Sequence, residues 1–271
     1  MRILVTGGNG FVGKTITRLD PSSIALPHNE LDITNRHNVM ETVAKIRPDC
    51  IIHAAGITDV DYCELHPEEA YSVNAIGTKN IADACKKSGA RLVYISTDYV
   101  FDGTKGMYRE EDATNPISAY AKSKLAGEKF ARELDNHATA RTSTIYGNDT
   151  KRFVYWVLNE ISSGKIIKVA YDEYKSPTHV VDAANAALKL ANSDYKGILH
   201  CAGNERISKF DFAVKIAQAF GKDINLIHKI KMEEVKRPAP RPKDSSLDVR
   251  KALSMGIELC DVETGLKRNG R

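Results

Sequence analysis

The 271 residues predict an α/β fold built on a doubly wound parallel sheet, with a smaller C-terminal lobe. Short runs rich in β-branched residues at 3–5, 24–26, 50–53 and 92–95 alternate with longer amphipathic stretches, the rhythm of strand–helix–strand units whose sheet is covered on both faces. A glycine-spaced turn follows the first run directly. The chain is also long enough, and at 42% hydrophobic residues apolar enough, to bury one large core beside a smaller one.

In chain order, the first strand opens on Gly7, Gly10 and Gly13, a GxxGxxG spacing at the entry to a helix. The first glycine permits the tight turn, the second lets backbone approach a pyrophosphate, and the third allows helix and strand to pack closely. This is the Rossmann dinucleotide loop, with the helix N-terminus facing the phosphates. An acidic residue ending the second strand would select NAD by binding the ribose hydroxyls. Here that strand ends Ala25-Leu26-Pro27-His28, so nothing repels a 2′-phosphate, and Glu30 and Asp32 come late for the ribose. NADP(H) is the preferred cofactor and NAD(H) the alternative.

Pro67, followed by Glu68 and Glu69, reads as a helix first turn: proline lacks only an orphan donor there, and the acids complement the helix dipole. The strand at 92–95 ends in Ser96 and Thr97, placing hydroxyls at the carboxyl edge of the sheet, where doubly wound folds bind ligands. Tyr120 and Lys124 stand four residues apart, on one face of a helix. Reducing a ketone by hydride requires a proton for the nascent alkoxide, and a phenol with a pKa of about 10 transfers it poorly unless a nearby cation adjusts it. Lys124 supplies that charge and a hold on the nicotinamide ribose. Thr97 completes a Thr/Tyr/Lys triad by polarising the carbonyl. Each part alone also has a plainer reading, as an exposed helix face or a strand-end cap.

Residues 1–142 are predicted as the dinucleotide-binding unit, with a returning segment near 179–201, and 143–271 as a discontinuous second lobe. Ala184, Ala187, Leu188 and Ala191 recur at helical spacing on small residues. Ser208 with Asp211 resembles a capping box, and Ala213, Ile216, Ala217 and Phe220 follow at i, i+3, i+4 and i+7. Three alternating prolines in 236–243 exclude a helix and leave Arg237, Arg241 and Lys243 on an extended segment. Arginine suits bidentate phosphate contacts, and a solvated charged loop is the alternative.

Composition excludes several classes. Lys and Arg number 39 against 35 acids, with both signs interleaved, which is too balanced for nucleic acid. The five cysteines form no metal-ligand spacing and read as reduced thiols or core filler. His53, His179 and His200 read as structural, and no metal site is expected. No apolar run approaches the roughly 18 residues that span a bilayer, and the chain opens on a strand rather than a leader, so a cytoplasmic protein without a membrane partner is expected.

The motifs GGNGFVG, HAAGITDVDYCE, STDYVFDG, YAKSKLAGE, RTSTIYG and RPKDSSLDVRKA run in order across nearly the whole chain, and together they resemble the dTDP-4-dehydrorhamnose reductase family. The resemblance implies reduction of a 4-keto group on a nucleotide-linked deoxysugar, dTDP-4-dehydrorhamnose to dTDP-rhamnose. It implies that Gly7, Asn9, Gly10, Phe11, Val12 and Gly13 hold the cofactor, with Asp32 and Ile33 beside the adenine. Ala54, Ala55, Gly56, Ser96, Tyr120 and Lys124 join them. Val60, Asp61 and Thr97 would border the nucleotide sugar, whose diphosphate Arg237 and Arg241 would clamp. Tyr174-Lys175-Ser176-Pro177-Thr178 resembles a family loop near the substrate, and Asp98 matches a family position without an assigned role.

Thr144 stands where the family usually carries a tryptophan, so a sugar-facing aromatic is missing and the sugar's identity is open. The single tryptophan, Trp156, is expected in the core. Related sugar dehydratases carry a glutamate at the position of Tyr99, which argues against elimination. An epimerase remains a rival, as does a binding subunit resembling the methionine adenosyltransferase beta subunit, and a homodimer is an open assembly.

Overall fold

The computed structural model describes residues 1–148 and 153–269. Its main sheet has six parallel strands: β1 (Ile3–Thr6), β2 (Ile24–Leu26), β3 (Cys50–His53), β4 (Arg91–Thr97), β5 (His137–Thr142) and an edge strand, Gly197–His200. In space they run edge strand, β5, β4, β3, β1, β2, all parallel. The chain steps from β1 outward to β2, then crosses back to lay β3 on the other side of β1. That reversal opens a crevice at the carboxyl ends of β1 and β3, the position at which such sheets bind ligands.

Period-two alternation divides the strands between two cores. Ile3, Val5, Ile52, Val93 and Ala140 face one core, covered by α1 (Phe11–Leu19) and the helix Val180–Ala191. Leu4, Ile51, Leu92 and Tyr94 face the other, with Val39 and Val43 of α2 (Arg36–Ile46) and Ile81 of the helix Gly77–Ser88. Each fully buried aliphatic side chain contributes about 1.5–3 kcal/mol of transfer free energy. Ala184, Ala187 and Ala191 are fully or nearly fully buried, which lets their helix lie close on the sheet. β4 runs two residues further than the apolar pattern shows, because Ser96 and Thr97 keep pairing with Arg141 and Thr142.

The helix signals hold locally. Pro67 occupies the first turn of Pro67–Tyr71, and Ser208 caps Lys209–Ala219 by accepting from the Asp211 amide at 3.0 Å. A third apolar cluster, with Tyr146, Val157, Ile167, Ile207, Phe212 and Ile216 among its members, packs the helices Phe153–Ser162, Lys209–Ala219 and Val262–Asn269 around the parallel pair Ile167–Ala170 and Ile227–Ile230. Trp156 corrects the expectation of a core residue: it is 41% exposed, stacked on Phe153 at 5.6 Å, because the helix turns Val154 and Val157 inward instead. All five cysteines are free thiols and four are buried. His53 is fully buried between Thr6 and Thr78, at 2.7 and 3.1 Å, and burial pushes its pKa down to about 3, so it is a neutral structural group. Among the described residues, no helix is long and apolar enough to cross a membrane.

Candidate active site

The crevice carries two cavities that meet over the glycine loop. One, of about 400 Å³, is lined by Gly7, Asn9, Asp32, Ile33 and His28; the other, of about 290 Å³, by Phe11, Val12, Gly13, Val60, Ser96, Thr97, Tyr120 and Lys124. Gly10, Ala54, Ala55 and Gly56 line both. The shape is that of a two-headed ligand drawn across a glycine saddle. Gly7 has φ +71°, and a Cβ there would sit 2.9 Å from the Ala55 backbone, so only glycine lets the two loops approach. The first turn of α1 has neither a side-chain cap nor an acidic residue, and a helix start of that kind suits an anion. These features fit a dinucleotide. Asp32 Oδ1 accepts from the Thr34 amide and hydroxyl, at 2.9 and 2.7 Å, and that hydroxyl leads in holding the Asp32 pKa below the usual range.

Tyr120 and Lys124 lie on the helix Ala119–Ala131, which Ser118 caps through the Ala121 amide. Gly127 brings this helix onto β4, since a Cβ there would meet the Tyr94 hydroxyl at 2.5 Å. Lys124 Nζ donates to the Ile95 carbonyl at 2.7 Å and sits 4.2 Å over the Tyr94 ring. Burial pulls its pKa down to about 7, against the opposing charge of Glu128. Burial pushes the Tyr120 phenol well up, and the Thr97 hydroxyl, which lines the same cavity, pulls it back. A buried phenol held neutral, one helical turn from a lysine, is a proton donor in waiting.

Two neighbours behave differently from expectation. Ser96 lines the cavity, but its hydroxyl donates to Glu128 Oε1 at 2.6 Å, within a fully buried pair in which Arg141 spans both Glu128 oxygens at 2.9 and 2.8 Å. Thr97 stands at the strand end as expected, yet its hydroxyl donates to Asp98 Oδ1 at 3.2 Å, so in this arrangement its hydrogen does not face a carbonyl. An adjacent carboxylate is the stronger acceptor.

A third cavity, of about 250 Å³, shares Val60, Tyr99 and Thr144 with the Tyr120 cavity and continues between Phe153, Phe212, Lys175, Lys209 and Arg241. Arg241 binds Asp61 at 2.9 Å, and Asp61 also accepts from the Ala239 amide at 3.1 Å. Arg237 binds Glu173 at 2.7 Å. Segment 236–243 is therefore strapped to the body of the protein by ion pairs and is not a solvated loop. Burial raises the Glu173 carboxyl, but Lys209, Lys175 and Arg237 outweigh it and hold the pKa down to about 2. The sequence marked Tyr99 only as the position of the dehydratase glutamate and gave no sign of Glu173, Lys209 or Phe153; only the Tyr174–Thr178 motif hinted at Lys175. Thr144, at φ +28°, lines both cavities.

A family model for the RmlD substrate binding domain matches residues 1–269. The chain belongs to this family. The dTDP-4-dehydrorhamnose reductase of Aggregatibacter actinomycetemcomitans is 33% identical, across 98% of this chain and 97% of the relative. The crystal structure of dTDP-4-dehydrorhamnose reductase from Bacillus anthracis in complex with NADP superposes with a TM-score of 0.94 at 36% identity, covering 99% of this chain and 98% of that one. The chain is also similar to the methionine adenosyltransferase 2 subunit beta of Xenopus laevis, at 31% identity over 94% of this chain and 83% of the relative. The resemblance carried by the sequence motifs and the Rossmann architecture are both borne out.

Proposed function

We propose that this protein is an NADPH-dependent reductase of the 4-keto group of a nucleotide-linked deoxysugar, converting dTDP-4-dehydrorhamnose to dTDP-rhamnose. The observation that carries this reading is the convergence of Tyr120 and Lys124 on a cavity continuous with the glycine loop on one side and a cation-lined cavity on the other. The cofactor, when bound, supplies a hydride. Residues 7–13 and 54–56 hold its phosphates and ribose by backbone, with Asp32 and Ile33 at the adenine end. Lys124 binds the second ribose and keeps a positive charge beside the phenol. Tyr120 delivers its hydroxyl proton to the carbonyl oxygen as that oxygen takes up negative charge, leaving a phenolate that solvent reprotonates. General acid catalysis of this kind is worth about two to four decades in rate.

The third cavity is assigned to the substrate's nucleotide end, with Val60 at the junction. Its phosphates would compete with Asp61 and Glu173 for Arg241 and Arg237, so substrate binding exchanges internal ion pairs for charged hydrogen bonds to ligand. NADP(H) is preferred over NAD(H) because β2 ends without a carboxylate and Asp32, the carboxylate that lines the Gly7 cavity beyond it, already accepts from Thr34. The test is oxidation of NADPH and NADH, followed at the nicotinamide absorbance, with dTDP-4-dehydrorhamnose and other 4-keto nucleotide sugars. Substrate-dependent oxidation, fastest with NADPH, is expected. Tight NADPH binding without oxidation of any of them would favour a binding subunit, the reading supported by the Xenopus relative.

A further inference from the structure

The helix Phe153–Ser162 carries the chain's single tryptophan where folding does not call for one. Val154, Val157 and Ile161 fill the buried face, and Trp156 is left 41% exposed, although tryptophan is highly buried on average. A polar side chain at 156 would serve the fold as well. Three rings run outward from the core beside the third cavity. Phe212 is buried; Phe153, half-buried, lies 5.5 Å from it; and Trp156 stacks on Phe153 at 5.6 Å with the planes 28° apart. Phe212 and Phe153 line that cavity, and Trp156 continues their row toward solvent.

Cations stand beside the same rings. Lys209 holds its ammonium 5.3 Å from the Phe153 ring centre, and it lines the cavity together with Arg241. Fixed cations with an aromatic row running outward from them suit a ligand that is anionic at one end and flat at the other. In a nucleoside diphosphate those two parts are separated by one ribose. We propose that Trp156, backed by Phe153, is the platform on which the nucleobase of the nucleotide sugar stacks while its diphosphate is held at Lys209 and Arg241. The inference rests on the reductase reading for the identity of the ligand, though not for the stacking itself. Every base has a π-face, so a platform of this kind supplies affinity without choosing among bases. Recognition is then divided, with charge at Lys209 and Arg241 and contact area at Trp156.

Because Trp156 is the only tryptophan in the 271 residues, the intrinsic emission of the full-length protein reads this position directly. With NADP+ present, titration with dTDP should quench most of that emission along the curve that calorimetry gives for binding. Inorganic pyrophosphate, which carries the charge without the base, should leave the emission unchanged. Calorimetric saturation by dTDP with unaltered emission, or equal quenching by pyrophosphate, would overturn the proposal. Trp156→Leu should weaken dTDP binding about tenfold and raise the KM for the nucleotide sugar by a similar factor, with NADPH affinity unmoved, and Trp156→Phe should recover most of the loss. Wild-type affinity in Trp156→Leu, or no recovery in Trp156→Phe, contradicts the role. A wild type that binds dTDP with quenching yet reduces no 4-keto nucleotide sugar would refute the reductase reading and leave this inference standing. One that binds no dTDP would refute the assignment of the third cavity, and the inference with it.

Discussion

The two sides of the cleft are built differently. On the cofactor side the contacts come from strand ends: residues 7–13 after β1, 54–56 after β3, and 96–97 at the end of β4. A parallel sheet brings those ends together by topology alone, and the recognition they offer is largely backbone. On the substrate side Val60, Thr144, Lys175, Lys209 and Arg241 arrive from five separate segments, held by ion pairs such as Arg241–Asp61 and Arg237–Glu173. Recognition there is a balance of charges that ligand can re-partner. Damage to the first side should remove function outright, and damage to the second should change affinity by degrees.

The largest effect is expected where the two sides meet. Tyr120→Phe keeps the ring and its edge contact with Tyr99 at 6.0 Å but removes the proton, so kcat should fall at least about a hundredfold while NADPH affinity, measured by fluorescence titration, stays unchanged. Unchanged kcat would remove Tyr120 from the chemistry. On the cofactor side, Lys124 has a pKa lowered to about 7 in the free protein. Its charge is present below that pH and lost above it, and ribose binding favours the charged form. NADPH affinity should therefore weaken as pH rises through about 7, and Lys124→Met should flatten that dependence while weakening binding about tenfold at pH 6. A pH-independent wild type would place the affinity in the backbone alone.

This contrast also explains what could be read from sequence. The glycine spacing, the strand-end hydroxyls and the Tyr120/Lys124 pair are local patterns with local geometry, so residues 7–13, 97, 120 and 124 were legible. Arg237 and Arg241 stood out as cations, but their partners Glu173 and Asp61 lie 64 and 180 positions away in the chain, at contacts that only packing creates. The Glu128–Arg141 pair was hidden for the same reason: Glu128 reads as one more polar helix residue until β5 brings Arg141 beneath it. Trp156 misled because a lone tryptophan in an apolar run usually packs inward, whereas here Val154, Val157 and Ile161 fill the buried face.

On the substrate side, Arg241→Ala should raise the KM for the nucleotide sugar about tenfold with little change in the KM for NADPH, as loss of one charged hydrogen bond predicts. An equal rise for both substrates would mean that the strap organises the whole cleft. The smallest effect is expected farthest from the chemistry. Ser208→Ala removes the cap of Lys209–Ala219 and should cost about 1 kcal/mol of stability in a denaturant titration, with kcat within twofold of wild type. A larger kinetic loss would show that this helix places Lys209 and Phe212 for the substrate.

Direct hydride delivery is most sharply examined by running one turnover with NADPH deuterated at the transferring position of the nicotinamide and locating the label by NMR of the nucleotide sugar. Deuterium at C4 of the product, in one stereoisomer and at one equivalent per NADPH oxidised, is the outcome that net reduction beside Tyr120 requires. Unlabelled product with NADPH intact would contradict it, leaving an epimerase that returns its hydride or a subunit that only binds.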